Sequence, residues 1–211
     1  MKKYDYLLFD LDGTLTDSYE GITNGVKFTY GKFGKSYKES ELYKFIGPPL
    51  SLTFGRDFPD EEERKEAIGV FREYYMTRGV YENRPYDGVV EMLATLKSKG
   101  YFIATATSKQ YYMANTVVDY FGLREYIDEV FAADEKAGRN SKADVLLNAV
   151  DCLKADRSKC VLIGDTDYDI EGAEKVGIDN VIVSWGYGEK DVENRAMYFV
   201  RSIGELIELL S

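Results

Sequence analysis

The hydrophobic and polar positions of the chain change their periodicity at two places. Residues 6–9 form a short apolar run that ends at Asp10, which predicts a buried central strand. Acidic residues interrupt the apolar stretch so soon that the two lysines before it do not predict a signal peptide. Between about residues 17 and 83 the apolar positions recur with helical spacing instead, and no strand is predicted there.

The helical stretch has two clear segments and a break between them. Pro48 and Pro49 interrupt the chain, and the acidic residues 60–63 open a second amphipathic helix, where negative charge favours the first turn. The apolar positions that define the two helices are Ile22, Val26, Phe28 and Phe33 in the first, and Ala67, Ile68, Phe71 and Tyr75 in the second. We therefore predict a small helical insertion over residues 17–83.

Beyond residue 84 the pattern alternates between strand and helix. Helices are predicted at 89–99, 111–121, 141–153 and 170–176 and from about 202, and strands at 101–106, 130–132, 160–163 and 180–183, with a short apolar segment at 198–200. Such alternation predicts an α/β fold with a doubly wound parallel sheet, built from residues 1–16 and 84–211. Functional sites of these sheets lie at the carboxyl ends of the strands.

Composition and charge narrow the possible partners. Of 211 residues 45% are apolar and 30% charged, as in ordinary globular proteins, and no apolar run approaches the length of about 18 needed for a membrane span. A net charge of −10 argues against a nucleic-acid polymer or an anionic membrane as the main partner. Cys152 and Cys160 form no metal or disulfide pattern, so we expect a reducing, cytoplasmic location.

The chain contains no histidine. This excludes Ser-His-Asp hydrolases, Cys-His proteases and histidine-ligated zinc enzymes. Any catalysis must therefore depend on carboxylates, hydroxyls, lysine and a hard metal ion.

The first candidate motif, DLDGTL, follows the first predicted strand. Asp10 and Asp12 stand two residues apart in a loop, so that one carboxylate can attack while the other handles a proton. An aspartate-rich turn with Gly13 at its tip is the alternative interpretation.

A second acidic motif, GDTDYD at 164–169, follows the strand predicted at 160–163. Three acids in five residues repel one another unless a cation binds there, and oxygen ligands without histidine suit Mg²⁺. Helix N-capping by Asp167 or Asp169 explains one of these acids but not all three.

Two further strand ends carry polar residues. Thr107, Ser108 and Lys109 follow the strand predicted to end near Ala106, where a hydroxyl and a helix N-terminus form an anion site. Lys142 opens the next helix, a position that the helix dipole disfavours for a lysine, although a solvated surface lysine remains the alternative.

Along the chain these four motifs follow in the order DLDGTL at 10–15, Thr107, Lys142 and GDTDYD at 164–169, and in this order they resemble the first to fourth motifs of the haloacid dehalogenase-like superfamily over essentially the whole chain. The helical insertion and the loop FIGPPL at 45–50 resemble the cap of its phosphoglycolate phosphatase and 5′-nucleotidase-like branch. The resemblance implies a magnesium-dependent phosphatase, a phosphoric monoester hydrolase, with a Rossmann-like core and a small helical cap. The third motif lacks the Lys-Pro pair of many relatives, which leaves Lys136 as a second candidate for its lysine.

The resemblance also implies a role for each motif residue. Asp10 would be the nucleophile that forms an aspartyl phosphate, and Asp12 the general acid and then base. Mg²⁺ would be held by the carboxylates of Asp10 and Asp165 and by the backbone carbonyl of Asp12. Asp169 would be either a further ligand or a residue that contacts a ligand. Thr107 and Lys142 would bind phosphoryl oxygens. Further predicted substrate contacts are Thr14 and Ser108 beside the motifs and Lys44, Gly47 and Arg56 in the cap.

Three other functions share parts of this pattern. A phosphomutase would share every motif, and a phospho-accepting signalling domain also combines aspartates, a hydroxyl and a lysine on a parallel sheet. A dehalogenase would leave Asp12 and the second acidic motif unexplained. Phosphoglycolate, a nucleoside 5′-monophosphate, a sugar phosphate and a phosphorylated protein side chain all remain open as substrates, and a small cap over a closable site favours the small molecules. We expect a monomer or weak homodimer.

Overall fold

The computed structural model describes residues 2–189 and 191–211. The strands are β1 (Tyr6–Phe9), β2 (Thr16–Asp17), β3 (Arg84–Pro85), β4 (Phe102–Gln110), β5 (Glu129–Ala133), β6 (Cys160–Gly164), β7 (Asp179–Val183) and β8 (Tyr198–Val200). The helices are α1 (Tyr19–Lys32), α2 (Leu50–Phe54), α3 (Glu61–Tyr74), α4 (Val89–Ser98), α5 (Tyr111–Tyr120), α6 (Lys142–Leu153), α7 (Asp167–Val176), α8 (Val192–Arg195) and α9 (Ile203–Leu209). Among these residues, no helix has the length and apolar character that crossing a bilayer requires.

Six of the described strands form one parallel sheet in the order β5-β4-β1-β6-β7-β8. The order reverses direction at β1, because the chain first builds outward through β4 and β5 and then returns to the other side. Alternate residues of β1 face opposite layers: Leu7 and Phe9 join one hydrophobic cluster and Leu8 another. The predicted doubly wound α/β fold is confirmed, with its crevice at the carboxyl end of β1.

The sheet has helices on both faces because its strands are apolar on both sides. Helices α4, α5 and α9 pack on the face of Leu7, and α6 and α7 on the face of Leu8. Helix α6 begins at Ser141, which forms a capping box with Asp144 and so satisfies the free N–H groups of the first turn. Helix α7 begins in the same way, with Thr166 and Asp169.

Strand β4 differs from its predicted length. It was expected to end near Ala106, but it continues to Gln110, and α5 follows directly at Tyr111. The polar segment stays extended because Thr107 and Gln110 still pair with β5, across a register shift between them. Thr107 to Lys109 therefore lie on the strand itself, and the following helix begins only at Tyr111.

The helical stretch predicted over 17–83 consists of α1, α2 and α3, a 3₁₀ helix at Glu39–Phe45 and a π-helical turn at Tyr75–Gly79. Strands β2 and β3 pair in antiparallel fashion where this stretch leaves and rejoins the sheet. They were not predicted, because two residues are too few to show alternation. The interior of the stretch is a cluster of aromatic rings that meet mostly edge to face: Tyr30, Phe45, Phe54, Phe58 and Phe71.

Candidate active site

The motif residues meet at the carboxyl edge of three neighbouring strands. Asp10 directly follows β1, Asp165 directly follows β6, and Thr107 lies near the end of β4. The Asp10 N–H donates a hydrogen bond to the carbonyl of Ile163 at 2.8 Å, which continues the β1–β6 ladder into the motif. The position of β1 in the middle of the sheet therefore brings motifs that are far apart in sequence to one place.

Three buried carboxylates form the centre of the site. Asp10, Asp165 and Asp169 each offer an oxygen, and these oxygens lie within 4.8 Å of one another. Lys142 contacts two of the acids, with its Nζ 2.9 Å from Oδ1 of Asp10 and 2.8 Å from Oδ1 of Asp169. It also donates a hydrogen bond to the carbonyl of Ala106 at 2.9 Å. One buried ammonium thus faces three carboxylates, an excess of negative charge that a divalent cation would balance.

The pKa values reflect this charge. Burial raises the pKa of Asp10 to about 6, with Lys142 opposing the rise and Asp169 adding to it. Burial, followed by repulsion from Asp169 and Asp10, also raises the pKa of Asp165 well above its usual value. Burial disfavours the ammonium of Lys142, but its attraction to Asp10 and Asp169 is stronger, so the pKa of Lys142 is raised. The lysine stays charged among the acids.

Asp169 supports the site from the first turn of α7. Its Oδ2 accepts hydrogen bonds from the N–H groups of Asp165 and Thr166 at 3.1 and 3.0 Å, and from the Thr166 hydroxyl at 2.9 Å. Its other oxygen contacts Lys142. Asp169 is therefore the acid of this motif that caps a helix, as part of the capping box of α7. Asp167 instead pairs with Arg195, away from the carboxylate cluster.

A loop after β7, which the sequence analysis did not single out, also holds Asp165. The N–H of Tyr187 donates to Oδ2 of Asp165 at 2.7 Å, and the Thr14 hydroxyl donates to Oδ1 at 3.3 Å. Gly13 has φ +86°, and a Cβ there would lie 2.1 Å from the Asp165 carboxylate, so only glycine allows the first motif this close. Thr14, predicted as a substrate contact, lies against Asp165 and is buried. The two glycines of WGYG at 185–188 could have indicated this contact, because glycine allows the backbone of a loop to approach another group closely.

Asp12 belongs to a second charged cluster. Its Oδ2 lies 2.8 Å from Nζ of Lys109, and Lys109 donates a hydrogen bond to the hydroxyl of Tyr75 at 2.8 Å. Burial disfavours the ammonium, but attraction to Asp12 and Tyr75 prevails, so the pKa of Lys109 is raised. The sequence alone did not predict this contact with Asp12. The feature that could have indicated it is the position of Lys109 directly after two hydroxyl residues at the end of a strand.

The two hydroxyl residues of this strand end differ in their partners. Thr107 is buried, and its Oγ1 accepts a hydrogen bond from the N–H of Lys109 at 3.2 Å. The Oγ of Ser108 is buried and has no hydrogen-bond partner among the described residues, and Ser108 lines the cavity beside Asp12. Of the two candidates for the third-motif lysine, Lys142 lies in the carboxylate cluster and Lys136 is exposed.

A cavity of about 420 Å³ opens beside Asp12, between the helical stretch and the sheet. Its charged lining includes Arg72 and Glu135, which form an ion pair across the two sides, with Arg72 Nη1 3.2 Å from a Glu135 oxygen. Gly47 lines the cavity with φ +97°, and a Cβ there would lie 3.1 Å from the Thr166 side chain. The apolar lining residues are Ile22, Phe45, Pro48, Pro49, Leu50, Phe71 and Met113.

Two of the predicted substrate contacts lie elsewhere. Lys44 and Arg56 line a separate cavity of about 390 Å³, together with Asp167 and Glu171. This cavity and the one beside Asp12 lie on either side of Pro48, which lines both. The structure therefore brings Gly47 and Ser108 to the cavity of Asp12 but not Lys44 or Arg56.

Comparison with known proteins gives consistent matches. A family model described as haloacid dehalogenase-like hydrolase matches residues 7–183. The tyrosine-protein kinase PtkA of Mycobacterium tuberculosis is 37% identical over 88% of this chain; the chain spans 64% of that kinase's length. A 5′-nucleotidase of Pseudomonas aeruginosa is 34% identical over 90% of this chain and 86% of its own. The crystal structure of a predicted phosphatase from Clostridium acetobutylicum has a TM-score of 0.93 at 37% identity, covering 98% of this chain and 97% of that one.

Proposed function

The chain belongs to the haloacid dehalogenase-like hydrolase family, and we propose that it is a magnesium-dependent phosphatase of small-molecule phosphate monoesters, with Asp10 as the nucleophile. The observation that carries the proposal is the buried cluster of Asp10, Asp165 and Asp169 around Lys142, at the edge where three strands end. The phosphatase and nucleotidase names of the relatives support the same reaction class.

The donor set fits Mg²⁺. Asp10, Asp165 and Asp169 provide buried oxygen donors and no nitrogen or sulfur, and their charge exceeds that of Lys142. Asp10 and Asp165 would hold the ion together with the backbone carbonyl of Asp12. Asp169 accepts three hydrogen bonds on Oδ2 and contacts the Lys142 ammonium through Oδ1, whereas each oxygen of Asp165 accepts one hydrogen bond, so we assign Asp169 a supporting role. The ion would offset repulsion between an anionic nucleophile and an anionic substrate.

The reaction follows from the positions of two carboxylates. A carboxylate oxygen of Asp10 attacks the phosphorus and displaces the leaving oxygen, while Asp12 gives that oxygen a proton. Asp12 then takes a proton from the water that attacks the phosphorus of the aspartyl phosphate, which releases phosphate and regenerates Asp10. Lys142, with its Nζ 2.9 Å from Asp10, and the buried Thr107 would bind the phosphoryl oxygens, and Lys142 would supply fixed positive charge.

The cavity beside Asp12 bears on the leaving group. At about 420 Å³ it falls in the range typical of sites for drug-sized ligands, and half of the residues that line it are aliphatic or aromatic. Its two cations, Lys109 and Arg72, are already paired with Asp12 and Glu135, so neither is free for a carboxylate or a second phosphate. These features favour a leaving group with a flat or apolar part, such as a nucleoside, over glycolate or phosphate.

The test must also distinguish other fates of the phosphoryl group on Asp10. A phosphomutase would transfer the phosphoryl group to a sugar hydroxyl, and a signalling domain would retain it. The name of the kinase relative adds a protein tyrosine as a third possible acceptor. Water is our proposed acceptor because Asp12 stands two residues from Asp10 and lines an open cavity from which it can activate water.

The experiment is phosphate release with Mg²⁺ from nucleoside 5′-monophosphates, 2-phosphoglycolate, hexose phosphates and pyrophosphate. We expect the nucleoside monophosphates to give the highest kcat/KM and EDTA to abolish release. Asp10→Asn should lower kcat by about 10⁴-fold or more, as expected for loss of a nucleophile, and Asp167→Asn is the matched control from the second acidic motif. Turnover by Asp10→Asn equal to the wild type would refute the mechanism. Phosphoryl transfer from ATP to a tyrosine peptide, without release from any ester, would support the kinase alternative instead.

A further inference from the structure

Asp12 is connected to the helical insertion through one buried lysine. Lys109 lies on β4 of the core, its Nζ is 2.8 Å from Oδ2 of Asp12, and it donates to the Tyr75 hydroxyl at 2.8 Å. The same ammonium lies 4.3 Å from the centre of the Tyr75 ring, within the range of a cation–π contact. A three-residue chain therefore runs from the insertion, through the core, to the carboxylate proposed as the proton donor.

The contact is strong enough to fix the carboxylate in one orientation. The Lys109 side chain is 5% exposed and that of Asp12 10% exposed, so water screens their attraction little. The other oxygen of Asp12, Oδ1, is buried and has no hydrogen-bond partner among the described residues. Lys109 thus pairs with one oxygen of Asp12, and the other oxygen keeps its lone pairs free of any partner among the described residues.

Tyr75 is held by the packing of the insertion. It begins the π-helical turn Tyr75–Gly79, and its ring stacks on Phe71 of α3 at 5.9 Å with an interplanar angle of 16°. Gly79 of this turn packs so closely on α1 that a Cβ on Gly21 would lie 2.1 Å from the Gly79 carbonyl oxygen. The π-turn is therefore in close backbone contact with α1, and the Tyr75 ring packs within the insertion.

We propose that Lys109 is a positioning residue for Asp12, and that Tyr75 holds Lys109 in place only while the helical insertion is seated on the core. Proton transfer to the leaving oxygen is then efficient only over a closed cavity. This inference rests on the proposed function, because it assigns Lys109 a role through the acid–base action of Asp12.

The test compares two aryl esters of similar shape whose leaving groups differ in acidity. The p-nitrophenolate ion leaves without a proton, whereas phenolate benefits from the proton of Asp12. We expect Lys109→Met to lower kcat/KM on phenyl phosphate by about 10²-fold, the effect of a misplaced catalytic group. On p-nitrophenyl phosphate kcat/KM should fall by less than about threefold, because it reports only the steps through departure of the leaving group, which needs no acid for p-nitrophenolate. Lys109→Arg, which keeps the charge, should recover part of the loss on phenyl phosphate.

A milder variant removes only the link to the insertion. Tyr75→Phe keeps the ring and loses the hydroxyl, and we expect a smaller split of the same kind, about tenfold on phenyl phosphate and little on p-nitrophenyl phosphate. Tyr74→Phe is the matched control, because the hydroxyl of Tyr74 donates to Glu82 and does not contact Lys109. If Lys109→Met fails to fold, Tyr75→Phe decides the question.

The inference is also tested for dependence on Asp12. In an Asp12→Asn protein, adding Lys109→Met should cause no further loss on phenyl phosphate, since residues that act as a unit are not additive. An equal fall in kcat/KM on both esters, or a full further loss in the double variant, would overturn the positioning role while leaving the phosphatase intact. A wild-type protein that releases phosphate from no ester would overturn the proposed function, and this inference with it.

Discussion

The carboxyl edge of the sheet and the helical insertion hold their side chains in different ways. At the sheet edge, charged groups are fixed by ion pairs and backbone hydrogen bonds: Lys142 binds Asp10 and Asp169, and the N–H of Tyr187 binds Asp165. In the insertion, aromatic rings such as Phe45 and Phe54 pack edge to face, and the same packing forms a wall of the cavity.

This difference separates chemistry from recognition. A buried charge that loses its partner is costly, so the sheet edge tolerates few substitutions. An apolar wall can change its shape while remaining apolar, so the insertion is where a different leaving group would be accommodated. Mutations at the sheet edge should therefore have larger effects on stability and on phosphate release than mutations in the insertion.

The largest effect is expected at Lys142. Lys142→Met leaves Asp10 and Asp169 without a buried counter-charge, and we expect the free energy of unfolding to fall by about 3–5 kcal/mol. Phosphate release should fall by about 10²–10³-fold, as for loss of one preorganised electrostatic group. Urea unfolding and initial rates measure the two effects.

The exposed Lys136 provides the control for this prediction. Lys136→Met removes the same charge from the neighbouring loop and should change the free energy of unfolding by less than about 0.5 kcal/mol. A large loss of phosphate release with Lys136→Met and none with Lys142→Met would show that Lys136, and not Lys142, is the lysine of the third motif.

The sheet edge was largely predictable from the sequence, because parallel strands bring their ends to one edge. Asp10 and Asp165 follow runs that the apolar pattern marks as strands, so their proximity follows from topology alone. Lys109 and the loop of Tyr187 were not assigned, since their contacts depend on the length of β4 and on a loop that returns over the site.

The insertion was predictable only as a set of helices. Helical periodicity indicates which side of α1 or α3 is buried, but not which neighbour it meets, because that depends on the turns between the helices. Lys44 and Arg56, predicted as substrate contacts, therefore line the cavity on the other side of Pro48. Gly47, chosen from the same loop, does line the cavity of Asp12.

Magnesium binding should affect stability next most strongly. The carboxylate cluster lacks enough positive charge, so Mg²⁺ at 100 times its Kd should stabilise the folded protein by about 2.7 kcal/mol. For a chain of this size that corresponds to a rise in Tm of about 5–10 °C. Differential scanning fluorimetry with MgCl₂ against EDTA measures it, without need of a substrate.

Two variants of the second acidic motif sharpen the magnesium prediction. Asp165→Asn should lose most of the shift, and Asp167→Asn, whose carboxylate pairs with Arg195, should keep it. An equal rise in Tm with MgCl₂ in the wild type and in Asp165→Asn would show that the ion binds outside the carboxylate cluster.

The smallest effects belong to the insertion, and they differ between its two cavities. Leu50 lines the cavity beside Asp12, and we expect Leu50→Ala to raise KM for a nucleoside monophosphate about tenfold with little change in kcat, as for lost apolar contact in a pocket. Arg56 and Lys44 line the other cavity, and Arg56→Ala and Lys44→Ala should leave KM within about twofold, as surface substitutions do. Steady-state kinetics on one nucleotide measures all three. A KM that rises with the charge variants but not with Leu50→Ala would place the leaving group on the far side of Pro48, and the recognition surface would then be polar rather than apolar.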